Sequence, residues 1–168
     1  METIITSFVG AERLLQDRVF SAIVSIGGSL DDYPTGFLSV QQRLRLCVND
    51  IDKQALALFG HCRVGAPSKV DMEILIDFVR RLQPSDTCLI HCRAGLSRSP
   101  AAGFVLHAMQ TEPGQEEEAL AAALKSCTAS QPNPNDLVIE IADDLLGRKG
   151  RMVEALENFR DSRRGMYS

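Results

Sequence analysis

No stretch of this chain is apolar for long enough to span a bilayer, no run of lysine and arginine is long enough to grip nucleic acid, and no two cysteines form a C-x-x-C pair. The first absence argues against stable membrane insertion. The second, with a net charge of −4, argues against a nucleic-acid partner, so that any affinity for phosphate must be local. The third leaves Cys47, Cys62, Cys88, Cys92 and Cys127 odd in number and irregularly spaced. Neither a disulfide framework nor a metal site is indicated, and no cofactor is implied. Residues 1–10 lack a basic stretch followed by an apolar core and a small-residue cleavage site, which makes a cytoplasmic location the expectation. With 168 residues, 45% of them apolar and 24% charged, one domain covering 1–168 is expected.

The pattern along that domain alternates. Thr3 to Val9 and Val19 to Ile26 are β-prone runs, separated by a short helix over Ala11 to Gln16. Gly27 to Gly36 is rich in turn formers, Arg43 to Val48 alternates as a strand does, and Ala55 to Pro67 reads as a loop. Ser68 and Asp71 have capping-box spacing and open a helix whose apolar face holds Ile74, Leu75, Phe78, Val79 and Leu82. Thr87 to Ile90 has the composition of a strand buried on both faces of a parallel sheet. Only helices follow, starting near Ser97, Glu116, Leu137 and Met152. The expected fold is α/β: a central, mostly parallel sheet of about four strands flanked by helices on both faces, with a helical C-terminal half.

The short buried strand leads into His91-Cys92-Arg93-Ala94-Gly95-Leu96-Ser97-Arg98-Ser99-Pro100. A loop between a strand end and a helix start can turn several amides toward one point, where the helix dipole adds partial positive charge. Gly95 permits backbone angles that side chains forbid, so the amides of Arg93, Ala94, Gly95, Leu96, Ser97 and Arg98 can converge on phosphoryl oxygens. Arg98 adds a planar fork able to hold two of those oxygens. Cys92 lies at the centre, where the amides and Arg98 favour a thiolate nucleophile, and the Ser99 hydroxyl can donate to its sulfur. His91 is expected to shape the loop through hydrogen bonds to backbone. Cys47, Cys88 and Cys127 read as packing residues, and His107 as helix packing or surface. An echo at His61-Cys62-Arg63-Val64-Gly65 has Ser68 where an arginine would be needed, and reads as a surface loop.

The His-Cys-x-x-Gly-x-x-Arg-Ser arrangement over His91 to Ser99 resembles the signature of the cysteine-dependent protein tyrosine phosphatases, including the compact dual-specificity group. The resemblance implies a two-step reaction in which Cys92 takes the phosphoryl group and water releases it. It also implies an upstream aspartate that protonates the leaving oxygen and then activates the water. Val48-Asn49-Asp50-Ile51 resembles that setting, which selects Asp50, 42 residues before Cys92, with Asp52 as the alternative. The run from Ile141 to Gly150 is similar to the tail of small bacterial tyrosine-phosphatase-like proteins. Tyr33-Pro34 is either a wall of the substrate pocket or a plain turn.

These features make a phosphomonoester hydrolase acting on phosphotyrosine, with or without phosphoserine and phosphothreonine, the leading expectation. Its partner is then a phosphorylated protein or another phosphate ester. A phosphoinositide or small-molecule phosphatase, a phosphate-binding module with weak catalysis and a sulfurtransferase are the alternatives. Disulfide rescue of an oxidised Cys92 by Cys88 or Cys47 is a conceivable overlay.

Overall fold

In the computed structural model, which describes residues 1–58 and 65–165, strands and helices alternate through the first ninety residues. The order is β1 (Glu2–Ser7), α1 (Phe8–Asp17), β2 (Ala22–Gly27), a 3-10 turn (Phe37–Ser39), β3 (Gln42–Cys47), α2 (Lys53–Leu58), α3 (Lys69–Arg80) and β4 (Thr87–Cys92). Four helices complete the chain: α4 (Arg98–Ala108), α5 (Glu116–Lys125), α6 (Asp136–Leu145) and α7 (Arg151–Gly165). The strands form one sheet in the order β1-β4-β2-β3, and every pairing is parallel.

β4 is therefore flanked on both sides, and its run Cys88-Leu89-Ile90-His91-Cys92 is buried throughout. A strand with neighbours on both edges and helices on both faces has no solvated side, which is why it reads as continuously apolar rather than alternating. α1 and the 3-10 turn cover one face, where Ala11, Phe20, Ile23, Phe37, Val40 and Leu89 pack together. The other face carries the larger core, with Met72, Leu75, Phe104, Ile139, Met152 and Leu156 against Ile5, Val24 and Ile90. Its central member is α4, buried from Arg98 to Leu106. α4 lies close to the sheet because Gly103 has no side chain: a Cβ there would sit 2.2 Å from Ile5 Cδ1.

The helix starts follow local rules. Ser7 caps α1 by accepting from the Gly10 amide at 3.1 Å, and Ser68 and Asp71 form both arms of the capping box on α3. Two expectations are corrected. The stretch expected as a loop from Ala55 begins inside a helix, α2, because the Asp52 carboxylate accepts from the Ala55 amide at 2.7 Å and starts a turn there. Cys47 is exposed rather than packed, since it ends the edge strand β3. Cys127, half-buried, packs against the core as expected, and does so from a short bridge beside Ile5 that extends the sheet past β1. His61, Cys62, Arg63 and Val64 of the echo lie outside the described residues.

Two buried polar groups carry energetic consequences. Glu116, at the start of α5, bonds Arg148 at 3.1 Å and Arg151 at 3.2 Å, while Arg148 also donates to the carbonyls of Ala108 and Thr111. Burial alone would raise the Glu116 carboxyl, but bonds from Arg151, the amides and Arg148 outweigh it and hold the group below its ordinary value. His91 is 1% exposed, and burial pushes its imidazole down to about 4; Arg45 and Arg98 act in the same direction against the polar Cys92 backbone.

Both give testable outcomes. Arg148→Met leaves a buried carboxylate with a single cationic partner and should cost about 3 kcal/mol in urea unfolding. For His91, a folded value below the unfolded one means that the unfolded chain binds the extra proton. Its contribution is complete above about pH 6.5 and is lost as the pH falls toward about 4, a loss of about 3 kcal/mol. His107 is lowered too, chiefly by burial, and adds to the same slope. Unfolding measured from neutral to acid pH should show the decline, and His91→Gln should flatten it; an unchanged slope in that variant would refute the assignment.

Candidate active site

β4 carries His91 and Cys92 to its carboxyl end, and residues 93–97 turn directly into α4. Carboxyl ends of strands in open parallel sheets are where ligands are received. Gly95 sits at φ +75°, and a Cβ there would lie 2.7 Å from both the Ser7 nitrogen and the Thr6 carbonyl carbon. Only glycine allows the loop to rest against the β1–α1 junction, where the Phe8 amide also donates to the Arg93 carbonyl at 3.2 Å. Held this way, the Gly95 amide donates to Cys92 Sγ at 3.3 Å, and Ser99 Oγ stands 3.2 Å from the same sulfur. Ser99 is fully buried and also reaches the Thr6 carbonyl at 3.4 Å. The sulfur thus lies at the start of a buried helix, between an amide donor and a hydroxyl.

Arg98, the first residue of α4, is 7% exposed. Its Nη1 donates to the Val48 carbonyl at 2.9 Å, which ties the loop to the segment after β3. Its Nε, buried and without a hydrogen-bond partner among the described residues, lies 3.8 Å from Asp50 Oδ2. A buried guanidinium N–H left unbonded is costly unless an anion takes it up.

The two candidate acids have different surroundings. Asp50 Oδ1 accepts from Ser97 Oγ at 2.6 Å and from Asn135 Nδ2 at 3.1 Å, so the 42-residue separation closes to contact with the loop. Asp52 uses its carboxylate to cap α2 and lines a polar cleft with Asn133 and Arg160. Of the remaining loop residues, Ala94 and Leu96 are exposed, and the Leu96 carbonyl accepts from the Asn133 amide at 2.7 Å. Arg93 is exposed, 3.9 Å from Asp31, at the edge of a 260 Å³ cavity that also reaches Phe8, Arg45 and His91. Tyr33 is not among the residues lining that cavity; it stacks on Phe37 at 4.9 Å as part of the turn.

His91 does not act as expected. Neither ring nitrogen has a hydrogen-bond partner among the described residues, and the ring instead packs edge-on to Phe8 at 5.9 Å. Buried beside Phe8 and the polar Cys92 backbone, the ring supports the loop by filling space. The proposed disulfide partners are also excluded. Cys88 lies four residues before Cys92 on one strand, about 13 Å away, and Cys47 is separated from β4 by β2, at about 10 Å. A disulfide needs α-carbons within about 7 Å. Burial moreover pushes the Cys88 thiol up to about 12 and that of Cys127 up to about 11.

Asn135 is not among the residues that the sequence singles out. The signal available was its position immediately before the apolar stripe of α6, an N-cap signature. The contacts of Thr6 and Ser7 with the loop have no local signal, since they depend on β1 pairing beside β4.

No family model matches the sequence, and no curated protein matches it significantly. Its solved structural neighbours are phosphatases. The Yvh1 phosphatase domain from Chaetomium thermophilum is 19% identical at a TM-score of 0.55, over 89% of this chain and 93% of that one. The PTP-2 phosphatase of Cydia pomonella is 17% identical at 0.56, over 86% and 85%. PTPMT1 in complex with PI(5)P is 17% identical at 0.52, over 88% and 94%. With its four parallel strands, its helices on both faces and its cysteine loop at the end of β4, this chain has the fold of the cysteine-dependent protein tyrosine and dual-specificity phosphatases.

Proposed function

We propose that the protein is a phosphomonoester hydrolase, a protein tyrosine phosphatase or dual-specificity phosphatase, working through a cysteinyl-phosphate intermediate. The observation that carries this reading is the Cys92 sulfur held by the Gly95 amide and the Ser99 hydroxyl beside a buried Arg98 whose Nε is unbonded among the described residues. The phosphate of the substrate takes up the loop amides and Arg98. The Cys92 thiolate attacks phosphorus, the bond from phosphorus to the leaving oxygen breaks, and Asp50 gives that oxygen its proton. Water then attacks the phosphocysteine and passes a proton to Asp50. The phosphorus–sulfur bond breaks, inorganic phosphate leaves, and Ser99 donates to the departing thiolate.

A second reading, a phosphoinositide phosphatase, is favoured by one observation: Arg93 stands exposed beside the cavity that Arg45 also lines, so a second anionic group could be met there. The PI(5)P bound to the structural neighbour PTPMT1 is in keeping with it. Turnover of inositol lipids and phosphopeptides compared side by side separates the two.

Purified protein should hydrolyse aryl phosphates between about pH 5 and 7, with a bell-shaped profile because thiolate and protonated acid must coexist. Cys92→Ser should abolish turnover without unfolding the chain. Asp50→Ala should lower kcat by about a hundredfold, with Asp52→Ala near the wild-type value; the reverse pattern would move the acid to Asp52. Arg98→Lys keeps the charge and loses the fork, and should lower kcat/KM by about a hundredfold, since each charge-assisted bond is worth about 1.5–3 kcal/mol and about 1.4 kcal/mol is tenfold.

A further inference from the structure

Asp50 lies in the irregular stretch between β3 and α2, where no ladder or helix fixes a side chain. Two donors fix it instead, and both come from helix N-cap positions. Ser97 is the N-cap of α4 but makes no capping bond; its hydroxyl is turned onto Asp50 Oδ1 at 2.6 Å. Asn135 is the N-cap of α6 and does both jobs. Its Oδ1 accepts from the Val138 amide at 3.1 Å, which leaves Nδ2 to donate to Asp50 Oδ1 and to the Ile51 carbonyl, each at 3.1 Å. The side-chain orientation is unambiguous, because the opposite flip would set an oxygen against a carboxylate and a carbonyl while turning the NH₂ toward an N–H. The Asn135 amide in turn donates to the Ser97 carbonyl at 3.2 Å. Asn135 is 2% exposed, so its side of these bonds is fixed by packing, whereas Asp50 itself is exposed.

We infer that Asn135 is a positioning residue for the acid, resting on the phosphatase reading above: it and Ser97 occupy Asp50 Oδ1 and leave Oδ2, 3.8 Å from Arg98 Nε, as the oxygen that carries the proton to the leaving group. Oδ1 already receives two hydrogen bonds, which disfavours a proton on it. Oδ2 faces the guanidinium that would grip the phosphate, and so faces the ester oxygen. One buried amide thereby ties the acid segment, the phosphate loop and α6 together. Proton delivery matters most when the leaving group is a poor one, such as tyrosine, whose hydroxyl has a pKa of about 10.

Asn135→Ser tests this, because serine keeps a capping oxygen for α6 but is too short and lacks the amide to hold Asp50. The readout is kcat/KM over a series of aryl phosphates with increasingly basic leaving phenols. Asn135→Ser should lose about tenfold on phenyl phosphate and phosphotyrosine, part of the roughly hundredfold or more that proton transfer supplies, and about twofold or less on an ester of a strongly acidic phenol. In an Asp50→Ala background, the same substitution should cost about twofold or less on every ester. Equal losses across the series, or a tenfold loss that persists without Asp50, would overturn the inference. Should the serine variant fail to fold, Asn135→Asp keeps shape and cap and should show the same leaving-group dependence; its absence there is equally contrary. A wild-type protein that hydrolyses none of the esters would overturn the phosphatase reading, and the role of Asn135 with it. Active wild type with a flat variant profile would overturn the positioning role alone.

Discussion

The structure turns on the place where β4 stops and α4 begins. A parallel strand hydrogen-bonded on both edges runs into a helix buried along nearly its whole length, and the joint is five residues long. With both ends immobilised by the core, Cys92, Arg98 and Ser99 have little freedom, and Gly95 is the residue whose missing side chain allows the turn between them to close onto β1. The remaining elements serve that joint. α1 and the 3-10 turn cover one face of the sheet, α3 to α7 cover the other, and the Thr6 carbonyl and Phe8 amide meet the loop from the side.

In the proposed reaction a cysteine so held needs an acid, and the candidate, Asp50, follows β3 at the other edge of the sheet. The link is made through polar contacts rather than packing. Arg98 takes the Val48 carbonyl, Ser97 takes the Asp50 carboxylate, and Asn135 takes both Asp50 and the Ile51 carbonyl. Each of these donors begins a helix or stands next to one that does. The site is thus assembled from helix N-termini and the carboxyl ends of strands, where unsatisfied backbone groups and dipoles are concentrated. Charge balance elsewhere is structural: Glu116, Arg148 and Arg151 fasten α5 to the turn before α7, far along the chain from Cys92.

Much of this was legible in the residues themselves. The buried run Thr87 to Ile90, the capping box at Ser68 and the span Glu116 to Lys125 carry strong local signals, and each became the element that those signals specify. Cys92, Arg98, Gly95 and Ser99 stand out by their spacing, and the structure gathers them in one loop. What stayed hidden depends on contacts between distant parts of the chain. The α2 helix is short, and its start is held by Asp52 and, from α6, by Asp136 and Glu140 on Lys53; Asn135 draws its importance from Asp50, 85 positions earlier. His91 was misread for a related reason, as only the completed sheet shows that neither of its nitrogens meets a hydrogen-bond partner among the described residues.

The central claim is that Cys92 becomes covalently phosphorylated during turnover. Acid quenching of the enzyme within milliseconds of mixing with an aryl phosphate, followed by peptide mass spectrometry, measures this directly. The account predicts one phosphoryl group on the peptide containing Cys92, accumulating and then decaying as substrate is consumed. Steady turnover with an unmodified Cys92 peptide, or with phosphate on any other residue, would contradict it.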